Sequence, residues 1–455
     1  MVRLFHVYYP VRALLLFAGE TLLVIASFLC AVWLRLGSDS YLVLNYEDGI
    51  YKLGFVALLA LLCSYYGDLY ELKVFTSKSE SYFRLLAVIG MFSTALALLT
   101  IIFPDLMMGK GILLFGIVIL TLALILWREA YGWLLTRTFL RERVLIVGSG
   151  ERAERLSRAI RTHSHLGMDL VGWATPDQDH NWDLSAALPD RKGRIALDRV
   201  ILAMGDRRGR MPVRELLDIR LHGVKVEESA ALLEKISGRL EVDDLYPSSL
   251  IFSEGFRLNE MFMAARRSVA IVCSLSVLLV ALPLIPLVLL AIKLSSPGPV
   301  IFKQPRVGRN GKLFNVYKFR TMRQDAEAKT GAVWAVTNDP RVTTVGKFLR
   351  KTRLDEIPQL FNVLKGDMGF VGPRPERPEF VQSLTAVIPY YNLRHIIRPG
   401  VTGWAQVRYP YGASIEESKE KLKYDLYYIK HMSLSLDFMI AFETVKTVLL
   451  RRGSR

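Results

Sequence analysis

The chain has 455 residues, 51% of them hydrophobic, and a formal net charge of +16; its mean hydropathy is +0.27. That composition excludes an ordinary soluble domain and calls for membrane segments joined to polar domains. The basic balance calls for an anionic partner, either phosphorylated small molecules or lipid headgroups. Nucleic acid is disfavoured, because no nucleic-acid motif occurs and the apolar runs are long. Cys30, Cys63 and Cys273 all lie inside apolar runs and are expected as small core residues, not disulfides or metal ligands. The first apolar run lacks a small-residue cleavage site, so no cleavable leader is expected.

Four apolar runs come first, Val11–Leu34, Tyr51–Tyr66, Tyr82–Phe103 and Gly111–Trp127. Each is read as a transmembrane helix, making residues 1–140 a four-helix unit. Arg3 and Arg12 precede the first run, whereas Gly37–Ile50 holds Asp39, Glu47 and Asp48 and no cation. Arg128, Arg137, Arg141 and Arg143 follow the fourth run, so both ends of the unit are expected in the cytoplasm. Glu20 stands inside the first run, either as a functional acid or as a partner within the bundle.

From Arg143 the pattern alternates. RVLIVGSG, DLVGWATPD, RVILAMG and VKVEE read as strands, with ERAERLSRAIRTH and PVRELLDIRLHG as helices. This predicts a Rossmann-like α/β domain with a parallel sheet over 141–235. Gly148, Gly150 and Ala153 fit G-x-G-x-x-[G/A], a turn that can hold a phosphate or merely join strand to helix; Asp177 is an ambiguous candidate for a ribose contact. Residues 236–263 read as a connector.

A further apolar run spans 268–292, with Pro283 and Pro286 in its middle. Its flanks are both basic: Arg257, Arg266 and Arg267 before, Lys293, Lys303, Arg306, Arg309 and Lys312 after. A helix that enters, bends at proline and returns places both flanks on the cytoplasmic face; a kinked spanning helix is the alternative. Next, Ile357, Leu360, Phe361 and Leu364 in LDEIPQLFNVLKGDM fall at helical spacing. Asp355 stands where an N-cap belongs, with Glu356 and Pro358 in the first turn and Gly366 as the stop. Cations surround this acidic pair in sequence: Lys318, Arg320, Arg341, Lys347, Arg350, Lys351 and Arg353 upstream, Arg374 between two prolines and Arg398 downstream. Paired acids among fixed cations suit phosphoryl transfer.

The motifs SSPGPV, KFRTM, DPRVT, LDEIPQLFNVLKGDM, VGPRP and RPGVTGWAQV, in that order between about Ala264 and Leu450, resemble those of bacterial polyprenol-phosphate phosphoglycosyl transferases of the monotopic superfamily. The resemblance implies that 264–455 is an α-rich monotopic catalytic domain with a re-entrant helix over 268–292. It implies transfer of a hexose 1-phosphate from a UDP-sugar to undecaprenyl phosphate, with UMP released, as an opening step of surface-glycan or exopolysaccharide synthesis at the inner membrane. Asp355 matches the nucleophile and Glu356 its partner, with Mg²⁺ near Asp355. Lys318, Arg320, Arg350, Pro373, Arg374, Pro375 and Arg398 are expected to bind substrate. Pro283 matches the proline that bends the re-entrant helix, although the family's preceding serine is Leu282 here and Pro286 adds a kink.

After the core, ESKEKLKYDLYYIKHM and LSLDFMIAFETVKTVLLRR read as amphipathic helices for the headgroup region; the group Tyr424, Tyr427 and Tyr428 suits either an interface or a core. Two other functions are considered. A membrane-tethered nucleotide-sugar dehydratase or epimerase would need a second glycine-rich turn, and none follows Ser268. A non-catalytic nucleotide-sensing scaffold sits poorly with an intact Asp355–Glu356 pair. All matched motifs follow Ala264, so a chain from about Arg257 to Arg455 is expected to keep activity. The first half is left for assembly, positioning, nucleotide sensing or homodimer contacts.

Overall fold

The computed structural model describes residues 2–4, 6–70, 78–106, 108–135, 141–162, 166–175, 197–204, 211–245, 247–253, 255–256, 258–324, 326, 339–409 and 414–450. Asp177 and Arg257 lie outside these. The chain forms two compact units, Tyr9–Ser229 with residues 1–2, and Ala230–Arg455 with Arg3–Tyr8. Five helical spans among the described residues are long and apolar enough to cross a membrane, which makes this a helical membrane protein.

In the first unit, α1 (Val11–Leu36), a short α2 (Ser40–Tyr46), α3 (Gly49–Tyr66), α4 (Lys78–Ile102) and α5 (Lys110–Leu135) come first. The short strands β1 (Val2–Leu4) and β2 (Val7–Tyr9), which pair, precede them in the chain, with Arg3–Tyr8 counted in the second unit. One core joins α1, α3, α4 and α5, with Phe28, Val56, Leu85, Phe92 and Leu96 almost fully enclosed. Phe28 meets Phe92 edge-on at 6.2 Å. Glu20 proves to be a partner within the bundle: its Oε1 accepts from Arg128 Nε at 3.0 Å and Nη2 at 2.7 Å. The fourth span therefore runs past Trp127, and Arg128 belongs to the helix, not to the loop after it. Burial leaves these two charges no alternative to pairing.

Strands β3 (Glu142–Val147), β4 (Met168–Ala174), β5 (Arg199–Leu202) and β6 (Lys225–Glu228) form a parallel sheet in the order β4-β3-β5-β6. Between them run α6 (Glu151–Thr162) and α7 (Val213–Leu221). The central β3 is buried over Val144–Val147, as a strand with neighbours on both edges requires. At the glycine turn, Gly148 has φ +140° and a Cβ there would stand 2.5 Å from Ala203 O. Trp173 Nε1 donates to Gly148 O at 2.5 Å. Ala153 is fully enclosed on the inner face of α6, while Glu151 and Glu154 stand in the first turn of that helix.

The second unit opens with α8 (Ser229–Ser237) and α9 (Pro247–Phe252). The stretch between them, read as a connector, is docked: Leu240 N–H donates to Lys423 O, and Arg239 pairs with Glu241 and Glu420. Helix α10 (Glu260–Ala281) breaks before Pro283, and α11 (Ile285–Ser295) follows with Pro286 in its first turn. An antiparallel hairpin, β7 (Ile301–Val307) and β8 (Leu313–Phe319), leads to α12 (Thr344–Thr352) and α13 (Gln359–Lys365). Then come β9 (Gly369–Val371), α14 (Pro378–Val387), β10 (Gly400–Thr402), α15 (Trp404–Arg408), α16 (Ile415–Lys430) and α17 (Leu434–Leu449). The headgroup reading fails for α16. Leu422, Asp425, Leu426, Tyr427, Tyr428 and Ile429 are buried, so it is a core helix. Its tyrosines serve the core as well: Tyr427 stacks on Trp404 at 6.1 Å and Tyr424 on Tyr409 at 6.3 Å.

Candidate active site

The acidic pair sits on a bend set by the backbone. Arg353 ends α12 with φ 60°, in the left-handed region, and turns the chain into a single 3₁₀ turn, Leu354–Glu356. The N-cap reading of Asp355 is therefore incorrect. Helix α13 starts only at Gln359, behind Pro358, and no side chain caps it. The first-turn donors are met by backbone instead: Leu360 N–H donates to Ile357 O at 3.0 Å and Phe361 N–H to Pro358 O at 3.2 Å. Gly366 does stop the helix, with φ 100° and its N–H bonded to the Asn362 and Val363 carbonyls.

The two carboxylates meet opposite fates. Glu356 Oε1 accepts from Lys318 Nζ at 2.9 Å and from Arg374 Nη2 at 2.8 Å. Burial pushes Glu356 up, but Arg374, Lys318 and Arg353 outweigh it and hold this carboxyl well below the usual range. Asp355 is 7% exposed, and its Oδ1 is buried with no hydrogen-bond partner. Burial pushes its carboxyl up, the charge of Glu356 adds to that, and Lys318, Arg350 and Arg353 offset only part. One acid is thus saturated and firmly ionised, while its neighbour keeps an uncommitted oxygen and a higher proton affinity.

Lys318 stands on β8, whose Tyr317 N–H is held by Asn362 Oδ1 at 3.0 Å. Arg374 stands in GPRP, a segment fixed through its backbone. Gly400 N–H donates to Pro373 O at 2.9 Å, Arg394 Nη2 to Arg374 O at 3.0 Å and Arg306 Nη1 to Pro375 O at 3.1 Å. Strands β9 and β10 run parallel, laying GFVGPRP beside RPGVTGW. A Cβ on Gly400 would stand 2.1 Å from Gly372 N, which explains glycine at that crossing.

A cavity of about 390 Å³ opens here, lined by Arg353, Glu356, Arg374, Arg394, Lys421 and Asp425 at its polar end. Val277 of α10 and Val448 of α17 line its apolar side; Asp355 does not line it. The structure thus brings Asp355, Glu356, Lys318, Arg350 and Arg374 into one electrostatic neighbourhood, with Pro373 and Pro375 framing Arg374. Arg350 Nε also donates to Thr321 Oγ1 at 2.9 Å. Arg320 goes elsewhere: Nη2 donates to Ser296 O at 2.7 Å and Oγ at 3.0 Å, tying the end of β8 to the exit of α11. Arg398 lines a separate cavity. Sequence reasoning missed Arg394, Lys421 and Asp425. The buried Arg394–Asp425 pair, 2.8 Å apart, joins segments that no linear motif connects. Among the described residues no group of three or more His, Cys, Asp or Glu could cage a metal.

A family described as bacterial sugar transferase matches residues 261–451. The chain is 42% identical over 243 residues to the UDP-N-acetylgalactosamine-undecaprenyl-phosphate N-acetylgalactosaminephosphotransferase of Aeromonas hydrophila, covering 53% of this chain and 56% of that protein. It is 36% identical over 323 residues to the undecaprenyl-phosphate glucose phosphotransferase of Komagataeibacter xylinus, covering 69% and 60%. It is 34% identical over 328 residues to the UDP-glucose:undecaprenyl-phosphate glucose-1-phosphate transferase of Escherichia coli (strain K12), covering 70% of each. The match thus spans between about half and two thirds of the first two relatives' length. The chain belongs to the bacterial sugar transferase family, the polyprenyl-phosphate phosphoglycosyl transferases.

Proposed function

We propose that this protein transfers a hexose 1-phosphate from a UDP-sugar to undecaprenyl phosphate at the cytoplasmic face of the inner membrane, opening the synthesis of a surface glycan. The observation that carries this reading is the division of labour between Asp355 and Glu356. A carboxylate oxygen of Asp355 attacks the phosphorus that bears the sugar, and the bond from that phosphorus to the bridging oxygen of UMP breaks. UMP leaves with that electron pair. A phosphate oxygen of undecaprenyl phosphate then attacks the same phosphorus and expels Asp355 as carboxylate, giving the sugar diphospholipid. Glu356 holds Lys318 and Arg374 in place, and these cations face the phosphate charge. Arg350 adds to that field. The apolar side of the cavity, reaching Val277 on α10, suits a prenyl chain.

The unpartnered Oδ1 of Asp355 fits Mg²⁺, which commonly takes one or two carboxylates and completes its shell with water and substrate phosphates. Such an ion would neutralise diphosphate charge.

Re-entry of the α10–α11 pair is part of the same reading. Ala270 on α10 shares a core with Val316, and Ile292 on α11 shares one with Phe319. Val316 and Phe319 belong to one strand, so both legs return to one body. A spanning helix of about 33 Å would separate them. The four N-terminal helices then form a membrane unit, and the parallel sheet a Rossmann-like domain whose packed glycine turn, with two glutamates in the following helical turn, favours a scaffold role.

The test is intact-mass measurement after incubation with donor alone. Wild type is expected to gain a hexose phosphate that maps to Asp355, and Asp355→Asn to gain nothing. An adduct on the variant would end the covalent proposal.

A further inference from the structure

A second cavity, about 270 Å³, lies between α10, the β9 strand and α17, and it is not the one that holds Glu356. Its lining divides into two kinds. Val269, Ala270 and Cys273 of α10 with Phe438 and Ala441 of α17 make it apolar, while Arg266, Arg267 and Arg398 bring positive charge. The three guanidiniums are not equivalent. Arg266 is neutralised by Asp437, with Nε to Oδ2 at 2.7 Å. Arg267 spends its donors on neutral oxygens, the carbonyls of Val363 and Leu364 at the end of α13, so its charge is uncompensated. Arg398 stands half-buried with no acid paired to it, and burial together with Arg267, Arg309 and Arg266 makes its charge harder to hold. Among the described residues Asp437 is the only acid lining the cavity, and Tyr428 already bonds it at 2.5 Å.

The lining carries net positive charge and so suits an anion. Its position narrows the choice, because the arginines stand at the N-terminal end of α10 while Val269 to Cys273 lead into the apolar stretch. A phosphate with an acyl chain satisfies both ends: two fixed cations at headgroup level and an apolar wall next to them. We infer that the Arg267–Arg398 cavity is a binding site for an anionic membrane phospholipid, separate from the cavity at Glu356. One phosphodiester charge there would relieve the mutual repulsion of Arg267, Arg309 and Arg398 and fasten α10 to α17 through a lipid.

The inference is tested on the full chain in lipid nanodiscs, without reference to catalysis. Nanodiscs of phosphatidylethanolamine alone are compared with nanodiscs carrying about a fifth phosphatidylglycerol, and lipid retained on the protein is read by native mass spectrometry. Wild type is expected to keep one phosphatidylglycerol in preference to phosphatidylethanolamine. Arg398→Gln removes one charge-assisted contact and should weaken that retention about tenfold or more, with Arg398→Lys in between. Ala441→Phe fills the apolar end and leaves every arginine in place; it too should lose the lipid. Equal retention of both lipids, or undiminished retention in Arg398→Gln or Ala441→Phe, would overturn the inference. So would displacement of phosphatidylglycerol by a short-chain polyprenyl monophosphate, since the cavity would then be an acceptor subsite.

Discussion

The parallel sheet and the C-terminal unit both enclose arginines, but the C-terminal unit keeps two kinds: Arg266 and Arg394 are paired with Asp437 and Asp425, and others are paired with no acid. In the sheet, Arg199 is 5% exposed and is closed off by two acids from neighbouring strands, Glu142 at 2.7 Å and Glu227 at 3.1 Å. No charge is left over for a ligand. Among the described residues of the C-terminal unit, Arg320 keeps Nε and Nη1 buried without partners, Arg350 donates to a threonine hydroxyl and feels Asp355 and Asp339 only through space, and Arg398 has no paired acid. A buried charge without a counter-charge is costly, so a fold keeps it only where something else supplies the anion. An arginine neutralised by acids, as Arg199 is, holds strands together, whereas one with no paired acid keeps charge that an anionic ligand could meet. Glu356 joins the two modes, since it locks Lys318 and Arg374 into position while the adjacent Asp355 stays uncommitted.

The largest effect expected from this contrast is at Asp355. Asp355→Asn should lower UMP release by about 10⁴-fold or more, since the step loses its nucleophile. Arg199→Met, made in the saturated region, should leave the turnover of whatever protein remains folded near wild type. Comparable activity losses in the two variants would mean that the sheet participates in the chemistry.

Stability should sort the same arginines the other way. Arg199→Met strands two carboxylates on adjacent strands and should cost about 2 kcal/mol, discounted from the fully buried case because Glu142 and Glu227 are part-exposed. Arg350→Met removes a cation whose charged form burial already disfavours, so it should be neutral or stabilising in a detergent melt. Its effect belongs in the donor KM, which should rise about tenfold with the loss of one charge-assisted phosphate contact. A marked drop in melting temperature for Arg350→Met, with KM unchanged, would place Arg350 among the structural arginines.

The membrane spans, the strand–helix alternation and the acidic pair were legible because each depends on local pattern: length of apolar run, period, and residue type at fixed spacing. What stayed hidden depends on encounters between distant segments. Glu20 finds Arg128 across 108 positions, and Arg394 finds Asp425 from a segment with no period of its own. The left-handed Arg353 was also hidden, because an arginine does not advertise positive φ, and so Asp355 read as a cap. Helix α16 misled for a related reason. Its lysines suggested headgroups, yet Lys423 turns inward to Glu241 at 2.8 Å and Glu420 at 2.6 Å.

That inward turn alters where the C-terminal unit can be cut. A chain starting at Arg257 holds every matched motif, but it discards partners of the core. Trp404 Nε1 donates to Gly238 O at 2.7 Å, and Glu234 binds Lys430 at 2.8 Å. Starting at Ala230 keeps all of these. The longer chain should release UMP in lipid at a rate near that of the full protein. The Arg257 chain should fold less stably by roughly 3 kcal/mol or more, because it leaves Lys430 and the Trp404 indole without their acceptors and takes Glu241 from Lys423, which keeps only Glu420. Equal melting temperatures for the two would show that α8 and the stretch after it add nothing to the unit.

The smallest expected effect is the most discriminating, because it separates the two neighbouring acids by sign. Asp355 has a raised folded-state pKa, so it favours the fold only while protonated. That contribution is full below its unfolded value of about 3.8 and is lost as pH rises through the raised folded value. At neutral pH the buried carboxyl is therefore a burden on the fold, and Asp355→Asn should melt slightly higher than wild type. The gain should shrink as pH falls through the raised folded value and be gone by about 4. Glu356 has the opposite sign: its stabilisation is present above about 4.5 and is lost only as pH falls through its depressed folded value. Glu356→Gln should therefore melt lower than wild type at pH 7, leaving the part-buried Lys318 and Arg374 without their paired carboxylate. If both variants moved the melting temperature in the same direction at pH 7, the two carboxylates would share one environment, and the assignment of one as anchor and the other as nucleophile would lose its electrostatic basis.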